Sequence, residues 1–153
     1  GMDTYQPGFH KAELLSKASK ATGGFIITAH PFRAVFSRPK FNRPLLYKSV
    51  DDVLPEQPED ALDHPVFNLV HAVAVANGGT VAAENGFAMK VAGALNLPAT
   101  GGSDAHSVHG LGLFVTAFRD EINNEEEFLA ALHAGAFYPA VGLRTGNLQP
   151  YTA

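Results

Sequence analysis

Gly101-Gly102-Ser103-Asp104-Ala105-His106 closes an apolar run, Leu97-Pro98-Ala99-Thr100, and the rest of the chain is organised around it. The run reads as a short buried strand, and the paired glycines allow the backbone to turn sharply where it ends. Asp104 and His106 stand two apart, so in an extended segment they point to one side. A hard carboxylate oxygen beside an imidazole is a donor pair that zinc, manganese and iron sites use. The competing reading is an Asp-Ala-His loop whose polar residues cap the next helix.

Outward from this stretch, the pattern is one of strands alternating with helices. Phe25-Ile26-Ile27-Thr28-Ala29 is short and apolar, as strands buried on both faces are, and ends in His30-Pro31-Phe32-Arg33. Pro31 cannot donate to a ladder, which leaves His30 at the strand's C-terminal end. Before it, His10 to Thr22 reads as an amphipathic helix on Leu14, Leu15 and Ala18, stopped by Gly23-Gly24. His71 to Ala76 is a second strand, closed by Asn77-Gly78-Gly79. Ala82 to Leu95 sets Phe87, Val91 and Leu95 four apart and predicts a helix. Leu113 to Phe118 is a fourth strand. Asn123 or Asn124 then caps a helix through Phe128, Leu129 and Leu132, with Glu125, Glu126 and Glu127 in its first turn and Gly135 at its end. Residues Ala34 to Asp63 are irregular. Pro39, Pro44, Pro55 and Pro58 break them, Arg33, Arg38, Lys40 and Arg43 form a basic cluster, and there is room for a helix from about Asp60 to Leu69. The tail from Tyr138 to Ala153 is punctuated by Pro and Gly. The class is α/β, one domain over residues 1–153, with four roughly parallel strands expected.

Composition bounds the chemistry. The 153 residues are 46% hydrophobic and 17% charged, as in a globular core. There is no cysteine, so a transition metal would have to be held by His and carboxylate. A net charge of −4 gives no reason to expect nucleic acid as partner. No apolar run reaches about 18 residues, so no membrane-spanning helix is expected. Met2 leads into polar residues without a leader pattern and is read as the natural start, so a cytoplasmic location is expected.

In a parallel α/β sheet, functional groups gather at the C-terminal ends of the strands. His30, Asn77, Asp104 and His106 all fall at such ends. A metal on that rim would polarise a phosphoryl oxygen and supply a hydroxide near neutral pH. Arg33 offers the planar fork that suits phosphate, with a solvated surface arginine as the alternative. His109 is close enough in sequence to join the site. His10 and His133 read as surface residues on helices, His64 as a loop residue, and His71 lies at the start of a strand, away from the rim.

The segments Ile27-Thr28-Ala29-His30-Pro31-Phe32-Arg33, Val73 to Gly78, Glu84-Asn85, Leu97-Pro98 into Gly101–His106, Leu111-Gly112 and Val115–Phe118, in that order from about Gly23 to Phe137, resemble the PHP (polymerase and histidinol phosphatase) superfamily. The resemblance implies a distorted (β/α)7 barrel with a trinuclear Zn, Mn or Fe site that hydrolyses phosphate esters. It implies that His30, Asp104 and His106 are metal ligands, each tending to serve a different metal. The family begins with a His-x-His strand; this sequence has none before His30, and Ala74 stands where the family has an acid. The resemblance is therefore to the C-terminal half of the domain, a half barrel. From that follow an open sheet edge and an expected homo-oligomer, or a partner chain carrying the His-x-His half. The rival expectation is a binding or regulatory module that kept the fold and lost the chemistry.

Overall fold

A computed structural model describes residues 11–37, 44–49 and 51–153 of the chain. Arg38, Lys40 and Arg43 of the basic cluster, with Pro39 and His10, lie outside the described residues. Helix α1 covers Ala12–Thr22 and ends on Gly23, whose φ of 70° is the left-handed conformation glycine adopts freely. Its buried face departs in part from the stripe expected: Leu15 and Ala18 are half-buried. Leu14 is exposed, while Ser16 and Ser19 are buried. Gly24 folds so closely over Ser19 that an added Cβ would sit 3.1 Å from the serine hydroxyl. Small side chains on that face permit the fit.

Strand β1 is only Ile27–Thr28, β2 is Ala72–Asn77 and β3 is Ala99–Gly102. They form a parallel sheet in the order β1-β2-β3. The central strand is the core: Ala72, Val73, Val75 and Ala76 are fully buried. Helix α2, Ala82–Ala94, lies against it and buries Phe87, Ala88, Val91 and Ala92, the stripe read from the sequence. Where a helix was allowed for near Asp60 to Leu69, there are two single 3-10 turns, Pro58–Ala61 and Pro65–Asn68, each opened by its proline.

The fourth strand departs from expectation. Strand β4, Phe114–Phe118, pairs antiparallel with β5, Phe137–Val141, which in turn pairs antiparallel with β6, Gln149–Pro150. Two of these strands lie in what reads as an irregular tail. The segment between β3 and β4 holds a three-residue 3-10 turn and no α-helix, so nothing serves as the crossover a parallel neighbour needs. Helix α3, Glu125–His133, leaves β4 and returns at the same end, since Phe118 stands opposite Phe137. Its N-cap is Asn124, whose Oδ1 accepts from the Glu127 amide at 2.9 Å. The two sheets meet at Gly101: its N–H donates to Thr116 Oγ1 at 3.1 Å, and the same hydroxyl donates to the Gly101 carbonyl at 2.8 Å. The architecture is thus mixed α/β, with parallel and antiparallel sheets side by side.

Candidate functional site at the ends of the parallel strands

Each parallel strand ends in a turn the sequence marks. After β1, Pro31 stops the ladder and His30 takes φ +30°. After β2, Asn77 Oδ1 accepts from the Gly79 amide at 2.8 Å and Thr80 Oγ1 at 3.0 Å, so this side chain shapes the turn. Gly78 lies against β3's end: its N–H donates to the Gly102 carbonyl at 3.1 Å, and a Cβ there would fall 2.2 Å from the Ser103 oxygen. A Cβ on Gly79 would fall 2.3 Å from Asp104 Oδ2, so the Asp104 carboxylate lies over that glycine. After β3, Asp104 takes φ +46°. Non-glycine residues rarely hold positive φ; each costs about 1–3 kcal/mol, and such residues cluster where function demands a particular backbone.

Arg33 reaches from the loop after β1 to the loop after β3. Its Nη1 donates to Asp104 Oδ2 at 3.0 Å, with the side chains 38% and 20% exposed. Burial that partial leaves the pair worth about 1 kcal/mol or less. His106 is exposed and donates from Nδ1 to the Asp104 carbonyl at 2.9 Å, which in the neutral ring leaves the lone pair on Nε2. His30 Nδ1 is buried and has no hydrogen-bond partner among the described residues. A buried ring nitrogen without a partner is uncommon.

One residue beneath the site carried no role in the sequence reading. Glu84, in the first turn of α2, is almost wholly buried. Its Oε1 accepts from the Phe36 amide at 3.1 Å, the Ser37 amide at 3.0 Å and Ser37 Oγ at 2.9 Å. It thereby fastens the far end of the loop that carries His30 and Arg33. The signal in the sequence was an acid inside an otherwise apolar helix stripe. Asn85 beside it clasps the end of β2, accepting from the Asn77 amide at 3.2 Å and donating to the Asn77 carbonyl at 3.0 Å.

Of the other described histidines, His64, His71 and His133 have structural duties. His64 Nδ1 accepts from the Val66 amide, and its Nε2 donates to the Leu46 carbonyl. His71 Nδ1 accepts from the Ile26 amide at 2.9 Å while its ring stacks on Phe25 at 5.0 Å. Burial pushes the His71 pKa down, helped by the charges of His133 and Lys20. His133 Nε2 donates to the Gly23 carbonyl at 2.9 Å. His109 lies exposed on a 3-10 turn, its carbonyl held by Arg144 Nη1 at 2.8 Å.

Residues 82–137, from α2 to the start of β5, match the family model described as PHP-associated. This stretch is similar to the C-terminal region of PHP-superfamily proteins. Among solved structures the chain is similar to a Bifidobacterium adolescentis protein assigned as a metal-dependent phosphoesterase, at 23% identity and a TM-score of 0.44. That likeness covers 69% of this chain and 30% of the other. No curated protein matches the chain. The PHP-associated stretch contains Asp104 and His106, while His30 and Arg33 precede it. These donors are of the kind a divalent metal takes, yet their arrangement does not fit a metal centre. Asp104 already faces a guanidinium, and among the described residues no three His, Asp or Glu side chains gather where they could hold an ion. Also among the described residues, no helix is long and apolar enough to cross a membrane.

Proposed function

We propose that this chain carries the C-terminal portion of a PHP-type phosphoesterase site, and that on its own it recognises phosphate esters without hydrolysing them efficiently. The observation that carries the reading is the Arg33–Asp104 contact, which joins a phosphate-compatible fork to a metal-compatible carboxylate on the rim of the parallel sheet. Arg33 keeps donors beyond the one it spends on Asp104, enough for the paired hydrogen bonds phosphate oxygens accept. His30, Asp104 and His106 are the residues proposed to meet Zn, Mn or Fe. The remaining ligands come from a chain bearing a His-x-His strand or from a second copy of this one, completing a half barrel along the edge of β1, which pairs only with β2 among the described residues. Ile27 on that edge is 40% exposed, an apolar surface suited to another strand. A cytoplasmic location accompanies this reading.

The test is reconstitution. The chain is mixed with a candidate His-x-His half, and p-nitrophenyl phosphate hydrolysis is followed in added Mn²⁺ or Zn²⁺. Turnover with both chains and not with either alone supports the split enzyme. Binding of phosphate esters with no turnover in any combination favours the binding-module reading, for which the ion pair across the rim is the motivating observation.

A further inference from the structure

Phe114 stands opposite Val141, so the loop before β4 and the loop after β5 lie side by side. Arg144 clasps them, its Nη1 donating to the His109 carbonyl at 2.8 Å. They touch again at Gly112, where a Cβ would meet Arg144 Cγ at 3.4 Å and Leu143 Cδ2 at 3.6 Å. These loops expose large apolar side chains: Val108 is 75% exposed, Leu111 58% and Leu143 53%. Beside them lies a cavity of about 360 Å³ lined by Gly112, Leu113, Gly142, Arg144 and Thr145. Clustered apolar exposure of this kind marks a surface that meets another molecule. No acid occurs between Asp104 and Asp120 or after Glu127, although the chain as a whole carries a net charge of −4. The surface is therefore apolar and cationic.

We infer that this surface binds the acidic loop of a second copy of the chain, with Val53 of that loop seated in the cavity beside Arg144. Val53 is 87% exposed, the most exposed large apolar side chain among the described residues. Residues 51–60 around it hold five acids and no base. The loop is held in shape. Asp52 Oδ2 accepts from the Ser49 amide at 2.7 Å, and Asp60 Oδ2 accepts from the Glu56 and Gln57 amides at 3.0 and 2.9 Å. Pro55, two residues past Val53, is buried. A valine presented on a fixed loop loses little freedom on docking. The charges then match: the acids flanking Val53 meet a surface that has Arg144 and no acid of its own. Both halves of the contact are present in this sequence, which singles out a second copy as the occupant. Knob and socket are different surfaces, so a two-fold pair makes the contact twice, while any other arrangement leaves one of each free for further copies. A contact this small is weak, and its complementary charges favour encounter more than residence. It uses neither the edge of β1 nor His30, Arg33, Asp104 and His106, and so stands apart from the function proposed above.

Sedimentation velocity of the intact chain, from micromolar to near-millimolar concentration at low salt, tests the contact. Average mass is expected to rise with concentration and to fall again on adding NaCl, which screens exposed charges. Over the same range, NMR amide signals of residues 51–56 and of 111–113 and 143–145 should move together. Val53→Ser, at a position too exposed to support the fold, is expected to weaken association by about tenfold. Arg144→Glu should weaken it as well. Because that change also removes the clasp on His109, it is paired with a chain carrying Asp51→Lys and Glu56→Lys. Mixing the two should restore an association that neither shows alone, which a misfolded loop would not do. Ile27→Lys, on the edge of β1, should leave association unchanged. A monomer at every concentration overturns the inference, as does association untouched by Val53→Ser, or a charge-swapped mixture that stays monomeric. Association lost in Ile27→Lys and kept in Val53→Ser overturns it too, while leaving the half-barrel reading of the proposed function standing.

Discussion

The parallel and antiparallel sheets are built from similar sequence and have different fates. His71 to Ala76 and Leu113 to Phe118 are both short apolar runs bounded by turn residues. The first becomes a central strand with Ala72, Val73, Val75 and Ala76 fully buried. Every residue of β4 is only half-buried, and the strand pairs antiparallel. Composition does not separate the two; their connections do. Helix α2 carries the chain from β2 to a parallel β3, whereas no α-helix lies between β3 and β4. The candidate site residues, His30, Arg33, Asp104 and His106, all belong to the ends of the parallel strands or the loops that follow them. The antiparallel sheet gives the site a brace.

If that division of labour is right, damage to the parallel core should cost most. Phe87 is buried on α2, with ring contacts to Phe32 at 4.7 Å and Phe36 at 5.3 Å, both in the loop that carries Arg33. Phe87→Ala is expected to destabilise by about 3–5 kcal/mol, and Phe118→Ala on half-buried β4 by about half of that. Urea unfolding of the two variants checks the ratio. Equal losses would break the comparison.

The junction comes next. A Cβ on Gly101 would fall 2.4 Å from the Val115 carbonyl oxygen, a backbone atom with little freedom to move. Gly101→Ala should therefore force β3 and β4 apart at a cost of about 2 kcal/mol, within the range of overpacking. The shift should appear at the amides of Gly101, Val115 and Thr116 in an NMR spectrum before it reaches His30. Disturbance at His30 of equal size would mean that the sheets do not act as separate units.

These contrasts show what was legible. The periodicity of α2, the break at Pro31 and the Asn77-Gly78-Gly79 turn were all readable, because local sterics fix them. The placement of His30, Arg33, Asp104 and His106 at parallel strand ends followed from the same patterns. The face of α1 was read only in part: Leu15 and Ala18 are half-buried, but Leu14 is exposed and Ser16 and Ser19 are the buried residues, because the packing there favours small side chains. Strand β5 was hidden by Pro139, which sits in the ladder opposite Thr116 without an N–H to donate. Arg33's engagement of Asp104 was out of reach, since it joins loops 71 positions apart. So was the grip of Glu84 on Ser37.

The smallest expected effect concerns pH. The folded chain needs His71 neutral at Nδ1 to accept from Ile26, and burial with the charges of His133 and Lys20 holds its pKa below the ordinary 6.5. As pH falls through about 6.5 the unfolded chain takes up this proton first, so stability declines below that point and is fully present above it. His71→Gln should flatten the urea midpoint between pH 7.5 and 5.5. A slope unchanged by the substitution would remove His71 as the source.

The most direct test of the central claim is the metal content of the purified chain, dialysed against Mn²⁺ and then against buffer, with a p-nitrophenyl phosphate assay on the same sample. With Asp104 held by Arg33 and no group of three ligands assembled among the described residues, metal should remain well below one ion per chain, with no turnover above buffer. One tightly held ion per chain, with turnover lost in both Asp104→Ala and His106→Ala, would contradict it and establish a working hydrolase in this chain alone.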